Sequence, residues 1–136
     1  MSDLVVWPRP VKTMYEFLTA QLATVPGYAG VQAFGIVPST RPARFVRVRP
    51  AGGQQIDVVT VEPLLLVESW AQKDEDAEAL AWTCHSLIRR AHDVGMLGLV
   101  PVRQVRVASL PQPLPDPSGQ PRYSAMYAPH MRGVPA

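Results

Sequence analysis

Three histidines and one cysteine are the side chains in this sequence best suited to metal binding or nucleophilic catalysis. His85 and His92 are seven residues apart, so on a helix they share one face at a separation of about 10 Å. One metal ion reaches both only with a third group, such as His130. Cys84 and His85 are neighbours, and adjacent helical side chains diverge by about 100°, which excludes a nucleophile–base pair. We therefore expect no metal and no catalytic site, with Cys84 a small core residue and the helical histidines in solvent.

A run of carboxylates is the other candidate for acid–base chemistry. Asp74, Glu75, Asp76 and Glu78 fall within five residues. General acid–base catalysis needs carboxylates in a cleft with separated pKa values, whereas acids at a helix start favour a cap and a solvated face. The glycine pair Gly52-Gly53 is too short for a phosphate-binding loop and lacks the following lysine and hydroxyl. The sequence thus predicts neither an enzyme nor a cofactor.

Arginines form the sharpest charged feature of the sequence. They are Arg41, Arg44, Arg47 and Arg49. Arg47 and Arg49 share one face of a predicted strand, and clustered arginines are typical of phosphate contacts. A sheet that binds single-stranded nucleic acid also needs interleaved aromatic residues, and here Phe45 is the sole one. Three interpretations stay open. The arginines pair with acidic residues of a neighbouring subunit, such as Asp74, Glu75 and Asp76, or they contact nucleic acid, or they form solvated surface.

Two helices are indicated by residues that recur at three- and four-residue steps. The first, about 11–25, buries Val11, Met14, Leu18, Leu22 and Val25, with Pro10 in its first turn. The second, about 75–93, is capped by Asp74, ends at Gly95, and carries an apolar stripe. That stripe consists of Ala77, Leu80, Ala81, Cys84, Leu87, Ile88 and Ala91. Trp82 lies off the stripe, so we expect it to be partly exposed, either packed at the core edge or anchoring a neighbouring subunit.

Strand patterns fill the rest of the chain. They cover residues 31–37, 43–49, 56–61, 64–71, 102–109 and 122–128. Pro50-Ala51-Gly52-Gly53 predicts a turn, Pro63 a bulge or break, and Ala128-Pro129-His130 the end of the last strand. Trp70, at the end of a buried strand, is expected in the core. The order predicts one α+β domain over residues 1–136, with an antiparallel or mixed sheet of about four to six strands and both helices on one face.

A proline-rich connector separates the last two predicted strands. Residues 110–121 contain five prolines, and proline fixes φ and donates no backbone hydrogen bond, so a stiff, exposed hairpin arm is expected. Ordered connectors of this length usually form binding surfaces. The arm residues expected to bind a partner are Pro113, Leu114, Pro115, Asp116, Pro117 and Arg122. Residues 129–136 are predicted to be a C-terminal tail.

The composition limits the class of protein. The chain has 136 residues, of which 47% are hydrophobic and 18% charged, and its net charge is +2. The low share of charged residues indicates that partners cover part of the surface. The small net charge does not require a nucleic-acid partner. Cys84 is the single cysteine, and neither a secretion signal nor an apolar run long enough for a bilayer is evident. We expect a protein made in a reducing cytoplasm without a membrane partner.

Four segments share a pattern with a known family. They are the first helix with its Pro/Gly turn, the strand 64–71 leading into Lys73-Asp74-Glu75-Asp76-Ala77, the continuation Leu87-Ile88-Arg89-Arg90-Ala91, and the connector 114–123. The connector's Asp-Pro-Ser-Gly-x-Pro-Arg-Tyr run is the most specific of these. Together the segments resemble the tail terminator (tail completion) proteins of phages with long, non-contractile tails.

The resemblance implies a structural role with defined partners. Such proteins have an α+β fold and form a hexameric ring on the last ring of the tail tube. The ring ends tube polymerisation and joins the head. The implied partners are further copies of the chain, the tail tube protein and a head-completion or connector protein, with DNA passing through the lumen. The implied location is the virion neck. A head-completion or neck connector role, or a small nucleic-acid-binding module using the arginine strand, are the alternatives.

Overall fold

Two helices and eight strands make up the structure, a computed structural model that describes residues 4–136. In chain order they are β1 (Val5–Val6), α1 (Pro10–Leu22), β2 (Gln32–Phe34), β3 (Phe45–Gln55), β4 (Thr60–Trp70), α2 (Asp74–Val94), β5 (Met96–Leu97), β6 (Val100–Pro113), β7 (Arg122–Arg132) and β8 (Val134–Pro135). No helix within these residues is long and apolar enough to cross a membrane.

Six strands form one mixed sheet in the order β2-β3-β4-β7-β6-β5. Only the β2–β3 pair is parallel, and the other neighbours are antiparallel. The short β1 and β8 pair with each other in a separate two-stranded sheet. The predicted α+β class with two helices on a mixed sheet is therefore confirmed.

Both helices pack on one face of the sheet. The stripe predicted for α2 is buried at all seven positions, and Met14, Leu18 and Leu22 of α1 are buried against the same core. The sheet contributes alternate residues to this core, such as Val46 and Val48 of β3. Cys84 is buried as predicted, and loss of solvent raises the pKa of its thiol to about 12.

The helix boundaries differ slightly from the predicted ones. Helix α1 ends at Leu22 rather than Val25, since hydrogen-bonded turns follow, with the Val25 N–H bonded to the Leu22 carbonyl at 3.1 Å. Asp74 is the first helical residue of α2, and Lys73 is the N-cap without a side-chain bond, so the predicted Asp74 cap is wrong. Gly95 ends the helix in the left-handed conformation, as predicted.

The predicted turn at Pro50-Ala51-Gly52-Gly53 is wrong, because these residues lie inside β3. The register shifts between Pro50 and Gly53, opposite Pro63, so the segment is a bulge within one long hairpin. The hairpin turn instead uses Asp57, whose Oδ1 accepts the Val59 and Thr60 N–H groups at 3.0 and 2.8 Å. The predicted strand 56–61 consequently begins at Thr60, while Pro63 marks a bulge and not a break.

The proline-rich connector is shorter than predicted. Pro111 and Pro113 belong to β6, so the connector spans residues 114–121. Strand β5 pairs with β6 only at residues 100 and 101. Pro111 and Pro113 therefore lie where this edge of β6 has no neighbouring strand, and no backbone N–H is needed for pairing there. Pro129 does not end β7, contrary to the prediction. It lies opposite Val105, whose N–H is instead bonded to Nδ1 of His92 at 2.9 Å.

Candidate assembly surface

A buried carboxylate organises the face of the sheet that carries no helix. Glu68 of β4 is fully buried there, and three guanidinium groups surround it. Nη atoms of Arg47, Arg49 and Arg122 lie 3.9, 3.3 and 3.3 Å from its carboxylate oxygens. The register produces this arrangement, because Arg47 pairs directly with Glu68 and Arg122 with the nearby Trp70. The predicted facing of Arg47 and Arg49 to one side of the strand is confirmed.

Aromatic rings underlie the same group of charges. Trp70 is 1% exposed, which confirms its predicted core position, and it stacks on Phe45 with ring centroids 5.3 Å apart. The guanidinium groups of Arg41 and Arg122 lie over the Trp70 ring at 4.9 and 4.8 Å, within range of a cation–π interaction. The arginines therefore cover the aromatic surface and take it out of contact with solvent.

Asp116 fixes the connector against these arginines. Its carboxylate lies 3.6 Å from Nη1 of Arg122 and 3.8 Å from Nη1 of Arg41. Hydrogen bonds from Ser118 lower the pKa of Asp116, and the two arginines add to the effect. Arg122 also donates to the carbonyl oxygens of Leu114 and Pro115 at 2.8 and 2.9 Å. We call Arg41, Arg47, Arg49 and Arg122, with Glu68 and Asp116, the arginine cluster.

Prolines lie on the outward side of the connector, together with Ser118 and Gly119. Pro113, the last residue of β6, and Pro115 and Pro117 of the connector are exposed, while Leu114 and Asp116 between them are half-buried. Arg122 holds the two intervening residues inward, through a hydrogen bond to the Leu114 carbonyl and an ion pair with the Asp116 carboxylate. The connector is thus a fixed, proline-faced surface at one end of the sheet.

The acidic start of α2 lies beside the connector. The Tyr123 hydroxyl donates to Oδ2 of Asp74 at 3.4 Å, and a cleft of about 260 Å³ is lined by Asp74, Pro113, Pro115 and Arg122 among others. Glu75 and Asp76 are exposed, and no cationic side chain of residues 4–136 lies within 4 Å of their carboxylates. One end of the sheet therefore combines arginines, prolines and free carboxylates.

Two of the predicted interface residues make contacts outside the arginine cluster. Arg44 donates to the Gly27 carbonyl at 2.8 Å, and its guanidinium lies over the Tyr28 ring at 4.9 Å. Trp82 is 43% exposed on α2, as predicted, with its ring 5.3 Å from the ring of His85. Neither residue joins the arginine cluster.

The helical histidines bond to the sheet, and the predicted solvent positions are wrong. Nδ1 of His85 lies 2.8 Å from the hydroxyl of the buried Tyr127, and Nδ1 of His92 accepts the Val105 N–H. Burial, with a smaller contribution from Arg89, lowers the pKa of His85. Within residues 4–136, no group of three or more histidine, cysteine or acidic side chains is placed to hold a metal ion.

A second buried carboxylate lies further along the same strand and face. Glu62 is 4% exposed, 3.1 Å from Nη2 of Arg106 and 2.6 Å from Nε2 of His130. The hydrogen bond from Arg106 contributes most to lowering the pKa of Glu62 to about 2, with further bonds from Gln54 and His130. Sequence reasoning missed both Glu62 and Glu68. Their even spacing, six residues apart in a strand with no other charged residue, was the available signal.

Comparison with known proteins adds no family assignment to this geometry. No protein-family model matches the chain. No curated protein matches it either. A proposal for its function therefore depends on the resemblance of its segments and on the surface that those segments form.

Proposed function

We propose that this chain is a ring-forming tail terminator of phages with long, non-contractile tails. In this role several copies cap the tail tube, end its polymerisation and offer the surface to which the head connector binds. The role is structural and depends on interfaces rather than on catalysis. The virion neck is the corresponding location.

The fixed connector is the observation that carries the proposal. It contains the most specific part of the resemblance, and its prolines point outward while Asp116 and Arg122 hold it against the sheet. A surface that is rigid before binding loses little conformational entropy when a partner contacts it. A protein that stacks between the end of the tail tube and the head connector protein needs such preformed surfaces. The α+β fold is also the one that the resemblance implies.

Cryo-electron microscopy of the particle that contains this chain tests the proposal. Six copies in one ring between tail tube and head connector are expected. Density along the whole tube, twelve copies near the portal, or absence from every particle would overturn it. A position in the neck but on the head side of the joint would favour the head-completion alternative.

Substitution of the outward prolines tests the part played by the connector. We expect P113S/P115S/P117S to fold normally, since these side chains are exposed, but to lower the yield of joined particles at least about tenfold. The matched control is P42S/P101S, which changes exposed prolines outside the connector. Circular dichroism checks folding, and counting of complete particles measures joining. Equal yields for the two variants would contradict a binding role for the connector.

A further inference from the structure

We infer that the arginine cluster binds the acidic first turn of α2 from a second copy of this chain. The inference deepens the proposed function and rests on it for the closed ring. It begins from the incomplete pairing of the cluster. Arg47 and Arg49 reach Glu68 as ion pairs at 3.9 and 3.3 Å, and both arginine side chains stay partly exposed.

The cluster carries more positive charge than its own carboxylates neutralise. It has four guanidinium groups and two carboxylates, which leaves a formal excess of two positive charges. The side chains of Arg47 and Arg49 are 26% and 41% exposed, so an outside group can reach them. Each guanidinium has five N–H donors in a planar fork that suits a carboxylate. The two arginines are therefore a preassembled receptor for anionic groups.

The charge pattern selects a carboxylate segment as the occupant. Asp74, Glu75 and Asp76 are exposed in one helical turn, and their negative charge is opposite in sign to the excess charge of the cluster and similar to it in number. Nucleic acid is the competing occupant, but single-strand binding uses aromatic rings on which bases stack. Phe45 and Trp70 are buried at 0% and 1% exposure, so the cluster offers no such ring.

The positions of the two patches determine the kind of contact. The cluster lies on the face of the sheet without helices, and the acidic turn belongs to α2 on the opposite face. Both lie at the end of the sheet where β4 finishes at Trp70. Asp74 and Arg122 line one cleft at this end, so the patches are neighbours but unlike. When each patch binds the other patch of a different copy, the contact is head-to-tail and closes into a ring if the rotation between copies allows it.

Sedimentation of the purified full chain over a range of protein and salt concentrations tests the contact. We expect association that weakens as salt rises from about 0.05 to 0.5 M, because the charges face solvent before binding. R47Q/R49Q and E75Q/D76N should each weaken association at least about tenfold. R9Q/R103Q and E16Q/D93N change exposed charges elsewhere and serve as matched controls that associate like the unaltered chain.

A mixture of the two interface variants gives the sharpest readout. R47Q/R49Q keeps its acidic turn and E75Q/D76N keeps its cluster, so the mixture should form one-to-one pairs and nothing larger. Variants that associate like the unaltered chain, or an unaltered chain that stays monomeric throughout, would overturn the inference. Binding of a mixed-sequence DNA probe that R47Q/R49Q abolishes would overturn it in favour of nucleic acid. The position of the chain in a particle is measured separately, so either proposal can fail alone.

Discussion

At the scale of single residues, Glu68 holds together charges that would otherwise repel. Its buried carboxylate lies between three arginines whose guanidinium groups cannot lose their protons. E68Q keeps the shape but removes the charge, and we expect it to lower the free energy of unfolding by about 3 kcal/mol. Urea unfolding measures the change, with E75Q as the exposed control expected to stay within about 0.5 kcal/mol. Equal stability of the two variants would show that Glu68 does not organise the cluster.

Glu62 predicts an acid-sensitive contribution to stability. The pKa of its carboxyl falls from 4.5 to about 2 in the folded chain, so the folded state favours the ionised form. Its stabilisation is therefore complete above about pH 5 and is lost as the pH falls towards 2. We expect E62Q to remove about 1–2 kcal/mol at neutral pH, because half of Arg106 lies in solvent, and to flatten the decline below pH 5. Urea unfolding at several pH values tests this, and parallel pH curves for both proteins would contradict it.

The sequence predicted the arginine side of the charged clusters better than the acidic side. Alternation in β3 was enough to put Arg47 and Arg49 on one face. Their partner Glu68 could not be identified, because the pairing depends on strand register, and Arg122 is a further 54 positions along the chain from Glu68. The interpretation that the arginines pair with acids of a neighbour stays a prediction, although part of their charge is now known to face Glu68.

At the scale of elements, the bulge in the β3–β4 hairpin depends on one glycine. Gly53 has a φ of +130°, and a Cβ there would overlap the backbone of Glu62 and Pro63. Gly52 has a φ of +98° with open space around it. We expect G53A to destabilise the chain by about 3 kcal/mol and G52A by about 1 kcal/mol, since only the first adds a steric clash to backbone strain. Thermal unfolding compares the pair, and an equal loss would show that the clash is relieved by movement of the hairpin.

The elements also show where sequence patterns are ambiguous. The α2 stripe was predicted at every position, because a 3.6-residue period over twenty-one residues has no competing explanation. Proline and glycine at positions 50–53 are equally typical of a turn and of a bulge, and the choice depends on the partner strand. The effect of Pro129 on β7 also depends on the partner strand. Pro129 does not end β7, because the N–H of Val105 opposite it is bonded to Nδ1 of His92.

At the scale of the whole molecule, the sheet separates two unlike faces. One face is apolar and covered by two helices, and the other carries two buried carboxylates with their arginines. A closed ring needs two unlike surfaces on each subunit that bind each other in neighbouring copies, whereas a symmetric dimer needs one self-complementary patch. The arginine cluster and the acidic turn are unlike patches at one end of the sheet, and they fit the first arrangement when each binds the other patch of a different copy.

This arrangement predicts which variants disturb assembly of the unaltered chain. R47Q/R49Q and E75Q/D76N each keep one working patch. They should therefore add to a growing assembly of subunits and then block the next addition. The combined variant R47Q/R49Q/E75Q/D76N has neither patch and should be inert. Sedimentation of the unaltered chain with increasing amounts of each variant measures the average mass of the assemblies. The single-patch variants should lower that mass steeply, because each can join an assembly and then stop its growth. The combined variant cannot join and should leave the mass unchanged. If all three variants have the same effect, the two patches do not form a head-to-tail contact.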